Sequence, residues 1–299
     1  MQNKPPVRYA AIDIGSNAVR LLIADVMVKN KVSTFKKNTL IRVPLRLGDE
    51  VFLNGYISEG KAQDLMDTMK AFGILMQVYK VQAYKACATS AMREASNGAQ
   101  LAEAIQSAGV DLKIIDGAKE AEIIYGNRLE MHMEPDKTYL FVDVGGGSTE
   151  LSLFHQGELM ASRSFNIGTI RMLDKRVKKN EWEQMRKWLE KNTHQYKKII
   201  TIGTGGNINK LFVLSGQKEG KPLSFTKLKQ EYECLNAYSL KERIEVLGLK
   251  EDRADVIVPA ASIFLQVMKW SKSRQVMIPR MGLADGLIQT IIDEYLSKV

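Results

Sequence analysis

The residues best placed to do chemistry lie in one stretch: Phe141-Val142-Asp143-Val144-Gly145-Gly146-Gly147-Ser148-Thr149-Glu150. Three successive glycines lack Cβ atoms, so an anion can come close to their backbone N–H groups. Ser148 and Thr149 add hydroxyl donors, and Asp143 and Glu150 set a carboxylate at each end. Donors for phosphate oxygens beside acids for a cation make a phosphate–metal site. A hairpin whose glycines only form the turn is the simpler alternative. A second copy stands 130 residues earlier, in Tyr9-Ala10-Ala11-Ile12-Asp13-Ile14-Gly15-Ser16-Asn17-Ala18-Val19-Arg20. Asp13 matches Asp143, Gly15 matches Gly145, and Ser16-Asn17 stand where Gly146-Gly147 stand.

Each copy follows an apolar, β-branched run and leads into another, Leu21 to Ala24 and Leu151 to Phe154. Both therefore read as turns joining two strands. The first half of the chain reads as three strands, then helix, strand, helix, strand, helix. Ser58 is the expected N-cap of a helix to about residue 79, Asn97 caps another, and Lys119 to about 130 forms a third. Asp49 to Gly60 reads as a loop, with Asn54-Gly55 a turn signal. Thr89, Ser90 and Arg93 follow a strand end, where an arginine can clamp a phosphate or form a surface ion pair with Glu94 or Glu120. The second half restarts the order with three strands. Gly203-Thr204-Gly205-Gly206 is a third glycine-rich turn, weak alone. Arg253-Ala254-Asp255 opens an apolar helix, and Met281 to Gly286 form a turn into a last helix, Leu287 to Leu296.

A chain of 299 residues makes two domains the default. The restart and the returning last helix set them at 1–127 with 285–299, and at 128–284. No apolar run reaches the ~20 residues that span a bilayer. Met1 to Pro6 lack the apolar core of a signal peptide, and two cysteines make no disulfide framework, so a cytoplasmic location is expected. His132, His155 and His194 share no ligand spacing, which argues against zinc chemistry. No Walker-type phosphate loop occurs. Net charge is +9, and residues 171–198 carry +6 of it. That segment suits a nucleic acid, a linear polyphosphate, or no more than a solvated basic helix face.

Taken together, Asp13 to Asn17 with Arg20, Ala88 to Arg93, Glu120-Ala121, Asp143 to Glu150, Gly203 to Gly206 and Arg253 to Asp255 resemble the exopolyphosphatase / guanosine pentaphosphate phosphohydrolase family. The resemblance runs from about Tyr9 to Gly286. It implies an α/β fold of two ribonuclease-H-like (actin-like ATPase) domains with an interdomain cleft. It implies hydrolysis of the terminal phosphate of inorganic polyphosphate, or of guanosine pentaphosphate, with Mg²⁺. By position, Glu120 matches the family's catalytic glutamate and Arg93 a phosphate-contacting arginine. Gly15, Ser16, Asn17, Arg20, Gly145, Gly146, Gly147, Ser148, Thr149 and Gly205 are the expected phosphate binders. Asp143, Glu150 and Asp13 are the expected metal ligands, Asp13 equally a turn-stabilising acid. A homodimer is implied, with neither membrane nor nucleic acid as partner. Where relatives often have paired acids, Lys119 precedes Glu120, and Gly282 to Gly286 lacks a usual arginine. The chain ends at Val299 without the helical extension of long members, which makes short chains the expected substrate. A nucleotide-sensing protein without turnover, or a phosphotransferase of the same fold, are the alternatives.

Overall fold

The structure, a computed structural model, describes residues 6–29, 32–125, 134, 136–279 and 281–297. The chain divides into two compact units, Met1–Asn127 with Gly282–Val299, and Arg128–Met281.

Unit 1 opens with an antiparallel meander, β1 (Val7–Ile14), β2 (Val19–Lys29) and β3 (Val32–Val43). The helices α1 (Leu47–Asn54) and α2 (Glu59–Val78) follow, then β4 (Ala83–Ala88), parallel to β1. The helices α3 (Ser90–Glu94) and α4 (Gly98–Ser107) lead to β5 (Leu112–Ile114), parallel to β4, and α5 (Gly117–Tyr125) completes the run. The sheet order is β3-β2-β1-β4-β5. The strand β1 is central, and its last six residues are all buried, so it reads as an unbroken apolar run.

Unit 2 repeats the meander as β6 (Thr138–Val144), β7 (Thr149–His155) and β8 (Glu158–Phe165). After α6 (Thr169–Leu173) and the basic α7 (Lys179–Thr193), β9 (Ile199–Thr204) lies parallel to β6. Then come α8 (Gly206–Leu214), β10 (Leu223–Ser224), α9 (Phe225–Ala237), α10 (Leu240–Glu245), α11 (Glu251–Ala254), α12 (Ile257–Trp270) and β11 (Gln275–Met277). This sheet runs β10-β11-β9-β6-β7-β8. Its core is built on α12, which buries seven side chains including Ile263, Phe264 and Val267 against α6, α7, α8 and α9. Each large side chain so buried contributes about 1.5–3 kcal/mol.

The last helix, α13 (Leu283–Leu296), returns to unit 1 and packs on β1, β2, β4 and α5. Asp285 fixes its start: its carboxylate accepts from the Gly282 N–H at 3.1 Å and pairs with Lys37 of β3 at 2.8 Å.

Three local expectations need correction. Residues 47–54 form α1 rather than a loop, because Leu47, Val51 and Phe52 share one buried face. The Asn-Gly pair marks the end of that helix, with Gly55 as a left-handed C-cap at φ +83°. Asn97 does not cap α4 with its side chain, which instead brackets the Ile57 backbone, accepting from its N–H at 3.0 Å and donating to its carbonyl at 2.8 Å. Residues 283–286 belong to α13, since the Asp285 cap starts the helix four residues early. Ser58 does cap α2, accepting from Lys61 N–H. The expected run of α5 to residue 130, and His132, lie outside the described residues.

Candidate phosphate and metal site

The unit 2 glycine turn is closed by Gly145 N–H donating to Ser148 carbonyl at 2.9 Å. Its carbonyls are then taken up from behind. Thr169 N–H donates to Gly145 O at 3.0 Å, Ile170 N–H to Gly146 O at 2.9 Å, and Arg171 Nε to Gly147 O at 2.6 Å. No described peptide is cis. In a trans peptide the following N–H points opposite to the carbonyl. The amides of Gly146, Gly147 and Ser148 therefore turn away from the α6 segment, three donors toward one side. Amides set out in this way are the kind of donor array that an anion-binding concavity uses.

The approach of α6 depends on Gly168. A Cβ there would lie 2.2 Å from Gly146 O and 2.4 Å from two carbonyl carbons, so close packing rather than backbone conformation demands glycine. Thr149, wholly buried, donates its hydroxyl to Ile167 O at 2.5 Å and anchors the same segment.

Asp143 and Glu150 are direct partners across the β6–β7 ladder, so their side chains share a face. Glu150 is 4% exposed, and its Oε1 accepts from Ser148 Oγ at 2.5 Å and Ser164 Oγ at 2.9 Å. Gly205, at φ +101°, crosses beside Asp143: a Cβ there would stand 3.0 Å from Asp143 Oδ1. Like charges directly opposite are unfavourable unless a cation lies with them. Among the described residues no cluster of three or more His, Cys, Asp or Glu occurs. Two carboxylates with hydroxyl neighbours still fit Mg²⁺, which keeps several waters and takes one or two protein carboxylates.

Unit 1 carries the same device with different charges. Gly15 N–H donates to Ala18 O at 3.1 Å, Gly48 N–H to Ser16 O at 2.8 Å, and Arg46 N–H to Asn17 O at 3.1 Å. The amides of Asn17 and Ala18 turn away in consequence. Arg46 is left-handed at φ +52°, and Lys61 Nζ holds the Leu45 and Arg46 carbonyls at 2.7 and 3.0 Å. Ser16 Oγ and Ser90 Oγ are 2.8 Å apart. Here Asp13 faces Arg20 across the ladder and forms an ion pair with it at 2.7 Å. Asp13 thus has a guanidinium where Asp143 has a carboxylate.

Glu120 lies half-buried in the first turn of α5, while Lys119 beside it pairs with Glu122 at 2.7 Å. Burial pushes the Cys87 thiol up to about 11, and the charges of Asp13 and Glu120 push the same way. Both carboxylates are therefore within electrostatic reach of one thiol on β4. Arg93 Nη1 donates to Ile115 O at 2.8 Å, tying α3 to the strand end before α5. The helix α3 has only five residues, too few for a strong dipole at its start.

Several contributors escape a reading of sequence alone: Gly168, Arg171 and Ser164 in unit 2, and Arg46 and Gly48 in unit 1. Their partners stand some 14–32 residues away along the chain, and no local spacing announces them.

Two meander sheets with parallel additions, each with an amide-lined hairpin at the first turn, define a two-domain α/β protein of the actin-like ATPase fold. Residues 27–295 match the Ppx/GppA phosphatase family, and the chain belongs to that family. An exopolyphosphatase from Cytophaga hutchinsonii is 26% identical, with a TM-score of 0.81 over 96% of this chain and 98% of that one. The Aquifex aeolicus Ppx/GppA family member shares the fold at a TM-score of 0.74 and 24% identity, over 98% of this chain and 99% of that one. A guanosine-5'-triphosphate,3'-diphosphate pyrophosphatase of Aliivibrio fischeri is 26% identical over 97% of this chain and 60% of its own length. The chain thus spans about three-fifths of the curated relatives of this kind that it matches.

Proposed function

We propose that this protein is a phosphoric anhydride hydrolase, an exopolyphosphatase that removes the terminal phosphate of inorganic polyphosphate and also takes guanosine pentaphosphate. The observation that carries the reading is the unit 2 hairpin. Three amides turn to one side of it, and an Asp143–Glu150 carboxylate pair sits at its root. Relatives named for these activities support the choice of substrate.

In the mechanism, Glu120 orients the attacking water and accepts its proton. The amides of Gly146, Gly147 and Ser148 hold the oxygens of the transferring phosphoryl group as charge develops. Within unit 1, the amides of Asn17 and Ala18, with Arg93, form a second set of donors suited to phosphate oxygens. Asp143 and Glu150 would hold Mg²⁺, which when bound supplies neutralising charge at the phosphate. Asp13 acts through its ion pair, holding Arg20 and the first hairpin in shape. The basic segment 171–198, with +6 of the net charge, attracts the remainder of the substrate chain.

Among the described residues no helix is long and apolar enough to cross a membrane. We place the enzyme in the cytosol as a homodimer, on its resemblance to the family. The deciding measurement is phosphate release with Mg²⁺ from tripolyphosphate, long polyphosphate and guanosine pentaphosphate. Binding of these compounds without release would overturn the reading in favour of a sensor.

A further inference from the structure

A cavity of about 520 Å³ lies within unit 1, among β4, β5, α5 and α13. Its origin is a gap in the sheet. The strand β5 pairs only with Ala86 to Ala88, so Ala83 to Lys85 have no neighbouring strand on that side. The helices α5 and α13 pack on each other beside the gap. Gly286 rests so close to α5 that a Cβ would lie 2.1 Å from Ile123 O. Further along α13, the stripe Leu287, Thr290, Ile291 and Glu294 forms a wall of the space instead.

The lining is apolar within and charged at its rim. Ile115, Ile123, Leu287 and Ile291 supply the apolar part. Of the three rim lysines, Lys85 pairs with Glu294 and Lys119 with Glu122. Lys113 has no ion pair among the described residues, and Asp111 on the same rim accepts from Gln106 at 3.5 Å. A cavity of this volume with an apolar wall and charged side chains gathered along one rim suits an amphiphilic small molecule.

We propose that this cavity is a regulatory site for a small organic anion with an apolar body, its charge on Lys113, and that occupancy acts on Glu120 through α5. Lys119, Glu122 and Ile123 line the space, and Glu120 lies among them in the same helix. A ligand that favours one position of α5 biases Glu120 by its differential affinity. The regulatory half rests on the role of Glu120 proposed above; the binding half does not.

The probe is anilinonaphthalene sulfonate, an aromatic anion, titrated into the full chain and followed by fluorescence. The expected result is saturable one-to-one binding that weakens by roughly tenfold in Lys113→Glu. Binding should weaken at least as much in Thr290→Trp, which fills the space. Thermal melts check that both variants fold, and Lys113→Glu, at an exposed position, keeps the test standing if Thr290→Trp does not. Saturating probe should also slow hydrogen exchange of the amides of residues 117–125 and change the rate of phosphate release. Unaltered affinity in Lys113→Glu, or exchange in α5 that ignores the probe, overturns the proposal. Both readouts need no substrate, so they decide the site even if the chain releases no phosphate.

Discussion

At the scale of single residues, the two hairpins differ by one exchange of charge. The ladder position opposite the aspartate holds Arg20 in unit 1 and Glu150 in unit 2. The first pair is neutral in itself, and the second invites a cation. Chelation with EDTA should abolish phosphate release, with Mg²⁺ restoring it. Glu150→Gln should raise the Mg²⁺ concentration needed for half-maximal rate, and a metal dependence identical to the parent protein would count against these ligands. Glu120→Gln should lower kcat by roughly 10²–10⁴-fold; undiminished turnover of tripolyphosphate would remove it from the base role. Cys87 offers a check independent of activity. Its thiol is buried and shifted up to about 11, while Cys234 is exposed. One thiol of the two should react with a disulfide reagent in the native protein at pH 8, and both after denaturation. The raised value means that folding favours the neutral thiol. Its contribution is full below the unfolded value near 9 and fades as pH climbs toward 11.

At the scale of elements, the glycine turn is shaped by a segment that ends its own strand some twenty residues later. Gly168→Ala would set a Cβ 2.2 Å from Gly146 O. Such overpacking should cost about 1–3 kcal/mol in a denaturant melt. It should also lower kcat/KM, because the backing carbonyl bonds orient the amides. A variant with parent stability and rate would show that the approach can relax freely. This is also where the sequence was least legible. Asp13, Asp143 and the glycines announce themselves by type and spacing, and so do the strands around them. The parts that aim them do not, because Gly168, Arg171, Arg46 and Gly48 act through backbone partners distant in the chain. The stretch 47–54 is hard to read as a helix because only three apolar side chains, Leu47, Val51 and Phe52, mark its inner face through two turns.

At the scale of the whole molecule, the order of elements repeats, and that repetition was readable before any coordinates. What a single sequence left open was how α13 completes unit 1. Leu287, Ile288, Ile291 and Ile292 are buried there. At about 1.5–3 kcal/mol each they contribute roughly 6–12 kcal/mol, as much as a typical domain's entire stability. A chain truncated after Met281 should therefore lose the cooperative unfolding of unit 1, read by hydrogen exchange across residues 7–29, while residues 138–165 stay protected. Retained protection of β1 and β2 would contradict this.

The split of unit 1 also sets a timetable. A translating ribosome makes most of this unit first yet delivers its closing piece last, after all of unit 2 has been threaded out. At typical elongation speeds that interval is about 8–30 s. For so long the face of β1 and β4 that α13 will cover stands bare in a crowded cell, which makes the nascent chain a natural client for a chaperone.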